Sequence, residues 1–378
     1  MDEMYYYWLH NVPGIGRLTV QKILKYITPK ELYESKEMKQ LDFLTEKQRE
    51  NIEISKKRWE ICKEWEKLQS RGIGVLGLRK SNYPVKLSTI PDPSPIIYYK
   101  GNCGILDKPS VAVIGARACS NYGSLAAKEL GKELAAMGIV VVSGMARGID
   151  SICQCACLEY GGESIGVLGS GVEVCYPSEN KFLYEKLQKQ GCLISENLPD
   201  TPPNAGLFPL RNRIISGLAD VIVVVESREK SGTQITVDMA LEQGKEVYAM
   251  PGRVTDPVSR GCNKLIKQGA GMVLSPREFV EEICPMLQLK YQQNKKEPQL
   301  VLNLNKEEQI IVKYLNISVK TLEEIYQGIK EKNPEITINR VMESVLELQM
   351  RNILKEENGY YGVNDNLMHL GMILKVDN

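Results

Sequence analysis

From about residue 109 onward, short runs of consecutive apolar residues alternate with Gly/Ser loops and amphipathic stretches. The runs are VAVIG (111–115), IVVVSG (139–144), IGVLGSG (165–171), CLISE (192–196), VIVVVES (221–227) and VYAMPG (247–252). Uninterrupted apolar runs suit strands covered on both faces, and the amphipathic segments between them supply the covering helices. The pattern predicts an α/β domain of the extended Rossmann-like kind, doubly wound around a mainly parallel sheet of about six strands.

The flanks read differently. Residues 1–100 are helical in pattern, opening with YYYWLHNVPGIGRLTVQKILKYI and continuing through a Trp59/Trp65 helix to the proline-rich STIPDPSPIIYYKGN. Within them NVPGIG resembles the hairpin of a helix-hairpin-helix, which either meets a phosphate with its backbone N–H groups or serves as a plain turn. The polar stretch QLKYQQNKKEPQL (288–300) reads as a linker. Helical patterns near 306–315, 320–331 and 337–350 follow, and Asn358-Gly359 between apolar residues signals a hairpin. The expected layout is a helical domain (1–100), the α/β domain (101–285), a linker (286–303), a small winged-helix-like domain (304–366) and a tail (367–378).

Composition narrows the class. Neither end reads as a secretory signal and no apolar run approaches a membrane span, so a cytoplasmic protein without a membrane partner is expected. Ten cysteines then read as reduced thiols. Cys153, Cys155 and Cys157 lack the C-x-x-C spacing of a zinc site, and the chain has only two histidines, so neither metal nor cofactor is expected. The net charge is +1, and the α/β portion is nearly neutral, with 17 Lys and Arg against 18 Asp and Glu between 105 and 275. The C-terminal module carries 8 against 11 between 304 and 365, which argues against DNA binding by that module. An anion site must therefore come from placement of charge.

Placement is where the chain is informative. Ligands of an open parallel sheet bind beyond the carboxyl ends of its strands. Those ends carry Gly115-Ala116-Arg117, Ser143-Gly144 with Arg147, Gly169-Ser170-Gly171, Ser231-Gly232-Thr233 and Gly252-Arg253. Glycines allow close backbone approach, hydroxyls and helix N-termini bind anionic oxygens, and arginines add bidentate cations. Arg211 and Arg213, flanking Asn212 in FPLRNRIISGLADVIVVVES (208–227), stand where a helix begins, an unfavourable place for cations unless an anion faces them. Any one of Arg117, Arg147, Arg211, Arg213 and Arg253 reads equally as a structural ion pair. Five around one sheet edge suit an extended polyanion. Residues two apart on a helix do not share a face, so Arg211 and Arg213 are expected to serve different partners, one a phosphate and the other a carboxylate such as Glu226.

Other chemistries fit poorly. The first turn lacks G-x-G-x-x-G, and no acidic residue follows the second strand to hold a ribose. His10 and His369 both lie outside the α/β domain, which excludes a Ser-His triad at the sheet edge. Asp150, Glu173, Glu196 and Glu226 lie near strand ends, each with an alternative role in holding an arginine or capping a helix.

VAVIGARACSNYG, VVSGMARGID, IGVLGSGVEVCYPSEN, LISENLP, FPLRNRIISGLADVIVVVES, SGTQIT and VYAMPGRV with SRGCNKLIKQGA resemble, in order, the blocks of the DNA-processing protein A (DprA/Smf) family. The likeness spans roughly residues 70–275. It implies a single-stranded-DNA-binding protein, not an enzyme, that protects incoming strands and helps load a RecA-type recombinase during natural transformation and recombination. The flanking modules fit the family's helical, sterile-alpha-motif-like N-terminal and winged-helix-like C-terminal domains. By the same resemblance Gly115, Arg117, Ser143, Gly144, Arg147, Gly169, Ser170, Lys181, Phe208, Arg211, Asn212, Arg213, Ser231, Gly232 and Thr233 face DNA. Phe208 either stacks on a base or packs under its loop.

Two positions depart from the family pattern: Gln154 stands where a histidine is usual, and SGTQIT replaces SGSLIT. The related phosphoribohydrolases supply the enzyme alternative, but Thr236 stands where their signature places a glutamate. The resemblance also implies a homodimer, through CNKLIKQGAGMV with Leu265 and Ile266 as apolar contacts. An adaptor role for the acidic C-terminal module is a third reading.

Overall fold

The computed structural model describes residues 2–35, 41–290, 301–315, 319–331, 333–357, 359–364 and 373–376. Met1–Tyr291 forms one compact unit and Gln292–Asn378 a second.

The first unit opens with five helices: α1 (Glu3–His10), α2 (Arg17–Leu24), α3 (Pro29–Glu34), α4 (Glu46–Arg58) and α5 (Ile61–Ser70). Capping boxes at Thr28/Glu31 and Thr45/Gln48 start α3 and α4 by satisfying free N–H groups at their first turns. The NVPGIG hairpin between α1 and α2 is held by α4, whose Gln48 and Asn51 amides donate to the carbonyls of Gly14 and Pro13. A strand β1 (Gly74–Gly77), a short helix α6 (Val85–Ser88) and a strand β2 (Ile96–Gly101) follow.

The alternating portion comprises β3 (Ser110–Ile114), α7 (Asn121–Ala136), β4 (Val140–Ser143), α8 (Ile149–Glu159), β5 (Ser164–Val167), α9 (Lys181–Gln190), β6 (Cys192–Ser195) and α10 (Leu207–Leu218). It continues through β7 (Val221–Val224), α11 (Gly232–Glu242), β8 (Glu246–Ala249), α12 (Arg260–Lys267), β9 (Gly271–Met272) and α13 (Pro276–Met286). The six apolar runs correspond to β3 to β8, and every residue of β3 to β7 is buried. Side chains alternate between faces. Ala112 and Ile114 join the core under α10 and α11, whereas Val111 and Val113 join the core under α7, α8 and α13.

The sheet has nine strands, in the order β1-β2-β6-β5-β4-β3-β7-β8-β9. β2 is antiparallel to both β1 and β6, and the other pairings are parallel. The expectation of a wholly helical 1–100 segment is therefore corrected: β1 and β2 extend the sheet, and Val75, Ile96 and Tyr98 pack beneath the N-terminal helices in a core with Trp8, Leu9 and Ile23. The strand order reverses between β3 and β7, the position at which a crevice opens at the carboxyl edge.

The second unit contains α14 (Lys306–Leu315), α15 (Leu322–Lys330) and α16 (Ile338–Met350), in the order expected. Its strands are β10 (Val301–Leu304), β11 (Lys320–Thr321), β12 (Leu354–Glu357), β13 (Tyr360–Val363) and β14 (Ile373–Val376). β12 and β13 form the expected hairpin, paired from Leu354↔Val363 to Glu357↔Tyr360, with Gly359 at φ 81°. Asn358 lies outside the described residues, as does 291–300, most of the expected linker. The expected 367–378 tail is corrected in part, because β14 pairs in parallel with β10.

Candidate nucleic-acid interface

Five loops from the carboxyl edge and the starts of the helices after them surround a cavity of about 690 Å³ beyond the β3/β7 switch. The loop after β3 contributes Gly115 and Arg117, and α10 contributes Phe208, Arg211 and Asn212. The loop after β7 and the start of α11 contribute Arg228, Ser231, Gly232 and Thr233, with Thr236 behind them.

The β3 loop is shaped by Glu226. This buried carboxylate accepts hydrogen bonds from the Ser120 N–H (2.9 Å) and hydroxyl (2.5 Å), while the same hydroxyl caps α7 at Gly123. Glu226 thus holds Ser120, correcting the expectation that it pairs with an arginine of α10. Arg117, two residues past the end of β3's apolar run, is left exposed at the cavity wall.

Asp150 and Arg211 organise the β4 loop. The Gly144 N–H donates to Asp150 Oδ2 (3.1 Å), and Arg211 Nη1 donates to the carbonyls of Gly144 (3.0 Å) and Val167. The Ser143 hydroxyl donates to the Val113 carbonyl at 2.6 Å. A Cβ on Gly144 would fall 2.6 Å from the Arg211 guanidinium, so only glycine admits the arginine here. Burial pushes the Asp150 carboxyl up and the Arg211 guanidinium down to about 10, each drawn back toward its charged form by the other. At neutral pH Arg211 remains a cation.

Arg213 has separate partners. Burial opposes its charge, but Glu196 takes both ends of its fork at 2.8 and 2.5 Å, Asp92 accepts from Nε at 3.0 Å, and the net effect raises its pKa. Arg211 and Arg213 therefore do serve different partners, as their spacing predicts. Both sets are internal, however, because the helix buries Arg211 and Arg213 through Leu218, leaving Asn212 between them half-buried at the cavity. Arg213 is the one that holds carboxylates, Glu196 and Asp92 in place of the expected Glu226, and it lies outside the cavity lining. Arg211 remains in the wall, with its Nη1 committed to carbonyls.

Of the other expected residues, Ser143, Gly144, Gly169 and Ser170 build the loops and do not line the cavity. The Ser170 hydroxyl donates to the Val174 carbonyl, and Gly169 makes room for Phe208, whose ring a Cβ there would meet at 2.6 Å. Phe208 both packs on its loop and faces the cavity, stacked on Tyr176 with centroids 5.4 Å apart and planes at 25°. Arg147, on the loop after β4 and paired with Glu179, and Lys181, the first residue of α9, are exposed beside the cavity. Gln154 is buried, its amide donating to Ser164 Oγ and the Ile165 carbonyl. Cys153 and Cys157 pack in the core as small apolar groups.

Leu265 is only 5% exposed and belongs to the core, which corrects its placement at a dimer surface. Ile266 is half-buried, and the exposed residues of α12 include Arg260, Lys264 and Lys267. Sequence reasoning missed Arg228 and Tyr176. Both were legible in outline, Arg228 directly after the strand-end Glu226-Ser227 and Tyr176 within CYPSEN.

A family model, DNA recombination-mediator protein A, matches residues 74–284, from β1 to α13. The DNA processing protein DprA of Bacillus subtilis is 40% identical over 216 residues, covering 57% of this chain and 73% of its own. The crystal structure of DprA from Streptococcus pneumoniae superposes with a TM-score of 0.65 at 30% identity, covering 76% of this chain and 99% of that one. DprA from Helicobacter pylori, a structure described for its single-stranded DNA binding mode, gives 0.53 at 29%, covering 57% and 96%. The matched segment runs from the antiparallel edge through every loop around the cavity, and on that footing the chain belongs to the DNA recombination-mediator protein A family.

Proposed function

We propose that this protein binds single-stranded DNA, without regard to sequence, across the carboxyl edge of its sheet. The observation that carries this reading is the cavity at the β3/β7 switch. Exposed Arg117 and Arg228 stand there with the first residues of α11 and a stacked Tyr176–Phe208 pair, which joins phosphate-binding and base-stacking groups on one surface. The single-stranded DNA binding mode described for the H. pylori relative supports it.

On this reading the bound strand is shielded and passed to a RecA-type recombinase in natural transformation and recombination, and the protein works in the cytoplasm as a homodimer. Exposed Met272 (46%) and Leu274 (68%), at and just beyond the edge strand β9, offer the apolar area that Leu265 does not. The protein acts as a binder, not an enzyme. Asp150, the carboxylate lining the cavity, accepts from the Gly144 N–H and faces Arg211, and Thr236 occupies the place of the phosphoribohydrolase glutamate.

Fluorescence anisotropy with labelled oligonucleotides tests the reading. Affinity for single strands exceeds that for duplex and falls linearly in log K against log salt. Equal affinity for duplex, or binding indifferent to salt, would refute it.

A further inference from the structure

Helix α9 starts at the carboxyl edge, because β5 ends there and the chain must run back to begin β6. The residue that caps its start is fastened to the cavity rim. The Asn180 amide donates to the carbonyls of Met145 (2.8 Å) and Ala146 (3.3 Å), and Ala146 lines the cavity. Leu183, Tyr184 and Leu187 turn inward. Phe182, Lys186 and Lys189, spaced i, i+4 and i+7, stand on the opposite side, beside exposed Lys181. Phe182 is 61% exposed, and Lys186 Nζ lies over its ring, 4.6 Å from the centroid. The carboxylates nearby in sequence are Glu179, which pairs with Arg147, and exposed Glu185.

An aromatic ring held in water costs free energy unless something covers it. Fixed by a cation and flanked by two more, at the edge of a surface that already holds a stacked aromatic pair, this ring suits the flat face of a nucleobase whose phosphates meet the lysines.

We infer that Phe182, backed by Lys186, is a second base-stacking platform, taking a base of the single strand as it leaves the cavity past Lys181. This rests on the single-strand reading above and assigns the strand's direction of exit.

The test compares an oligothymidylate long enough to leave the cavity with an abasic strand of the same length. Phe182→Ala is expected to weaken oligothymidylate binding roughly five-fold or more, with its salt slope unchanged. It leaves the abasic strand's affinity as it was, and Phe182→Trp retains binding. Undiminished oligothymidylate affinity in Phe182→Ala, while Arg117→Ala weakens it, overturns the platform alone. Equal loss on both strands also overturns it, since stacking requires a base. Absence of oligothymidylate binding by the unsubstituted protein overturns the single-strand reading and the platform with it.

Discussion

The Arg213 guanidinium and the Glu196 carboxylate face each other as two parallel hydrogen bonds of 2.8 and 2.5 Å, with both side chains more than nine-tenths buried. They tie α10 to the segment following β6. Burial of the Glu196 charge is tolerable because Arg213 faces it, and Arg213 is compensated by Glu196 together with Asp92.

Replacing Arg213 with alanine leaves Glu196 uncompensated and is expected to cost about 3–5 kcal/mol of stability. Arg213→Lys recovers only part, because an ammonium cannot make the paired bonds of a planar fork. Urea unfolding measures both, and a loss below about 1 kcal/mol in Arg213→Ala contradicts the assignment.

Arg117 is exposed in the cavity wall and carries the opposite expectation. Arg117→Ala leaves the unfolding midpoint unchanged and lowers single-strand affinity, with the salt slope reduced by about 0.7 for each phosphate contact removed. Arg228→Ala behaves likewise. Unaltered slopes in both variants would place the phosphates elsewhere.

Two glycines separate scaffold from surface. A methyl group on Gly144 meets the Arg211 guanidinium, so Gly144→Ala is expected to destabilise the fold by about 1–3 kcal/mol. A methyl on Gly232 meets nothing within 4 Å, so Gly232→Ala stays within about 0.5 kcal/mol of the parent while obstructing anions at the start of α11. Thermal unfolding together with oligonucleotide anisotropy distinguishes the two outcomes.

His10 provides a pH signature. Burial pushes its pKa down from 6.5 to about 4, and Nδ1 lies 2.9 Å from the Tyr98 hydroxyl. Below 6.5 the unfolded chain takes up a proton that the folded chain declines, so the stability contributed by neutral His10 is complete above 6.5 and drains away as pH falls toward 4. Between neutral pH and about pH 5 the loss is about 2 kcal/mol, and His10→Gln flattens that slope. Equal slopes in parent and variant would show that the imidazole titrates freely.

The parallel strands were legible because each is an unbroken apolar run between loop residues, and the crevice followed from the rule for open sheets. β1 and β2 were not. Gly74–Gly77 is four residues long with glycine at both ends, and Ile96–Gly101 follows a proline-rich stretch, so their strand character comes from pairing with a distant partner. Arg211 and Arg213 show the limit for a site. Sequence marks two cations as if at a helix start, but α10 begins at Leu207 and sets them in its second turn, and their turning inward depends on the carbonyls of Gly144 and Val167 and on Glu196, which only the fold brings together. Leu265 failed for the same reason, being as apolar in a core as on an interface.

The antiparallel edge has a consequence for the order of assembly. β2 is finished at Gly101, yet its inner neighbour begins at Cys192, the register partner of that same glycine. As the chain leaves the ribosome, β2 has only β1 to pair with until α7, α8 and α9 have been made. The N-terminal helices and their two strands must wait as a free-standing hairpin-bearing module. They dock only when β6 emerges, so closure of that edge waits until about half of the chain has been made.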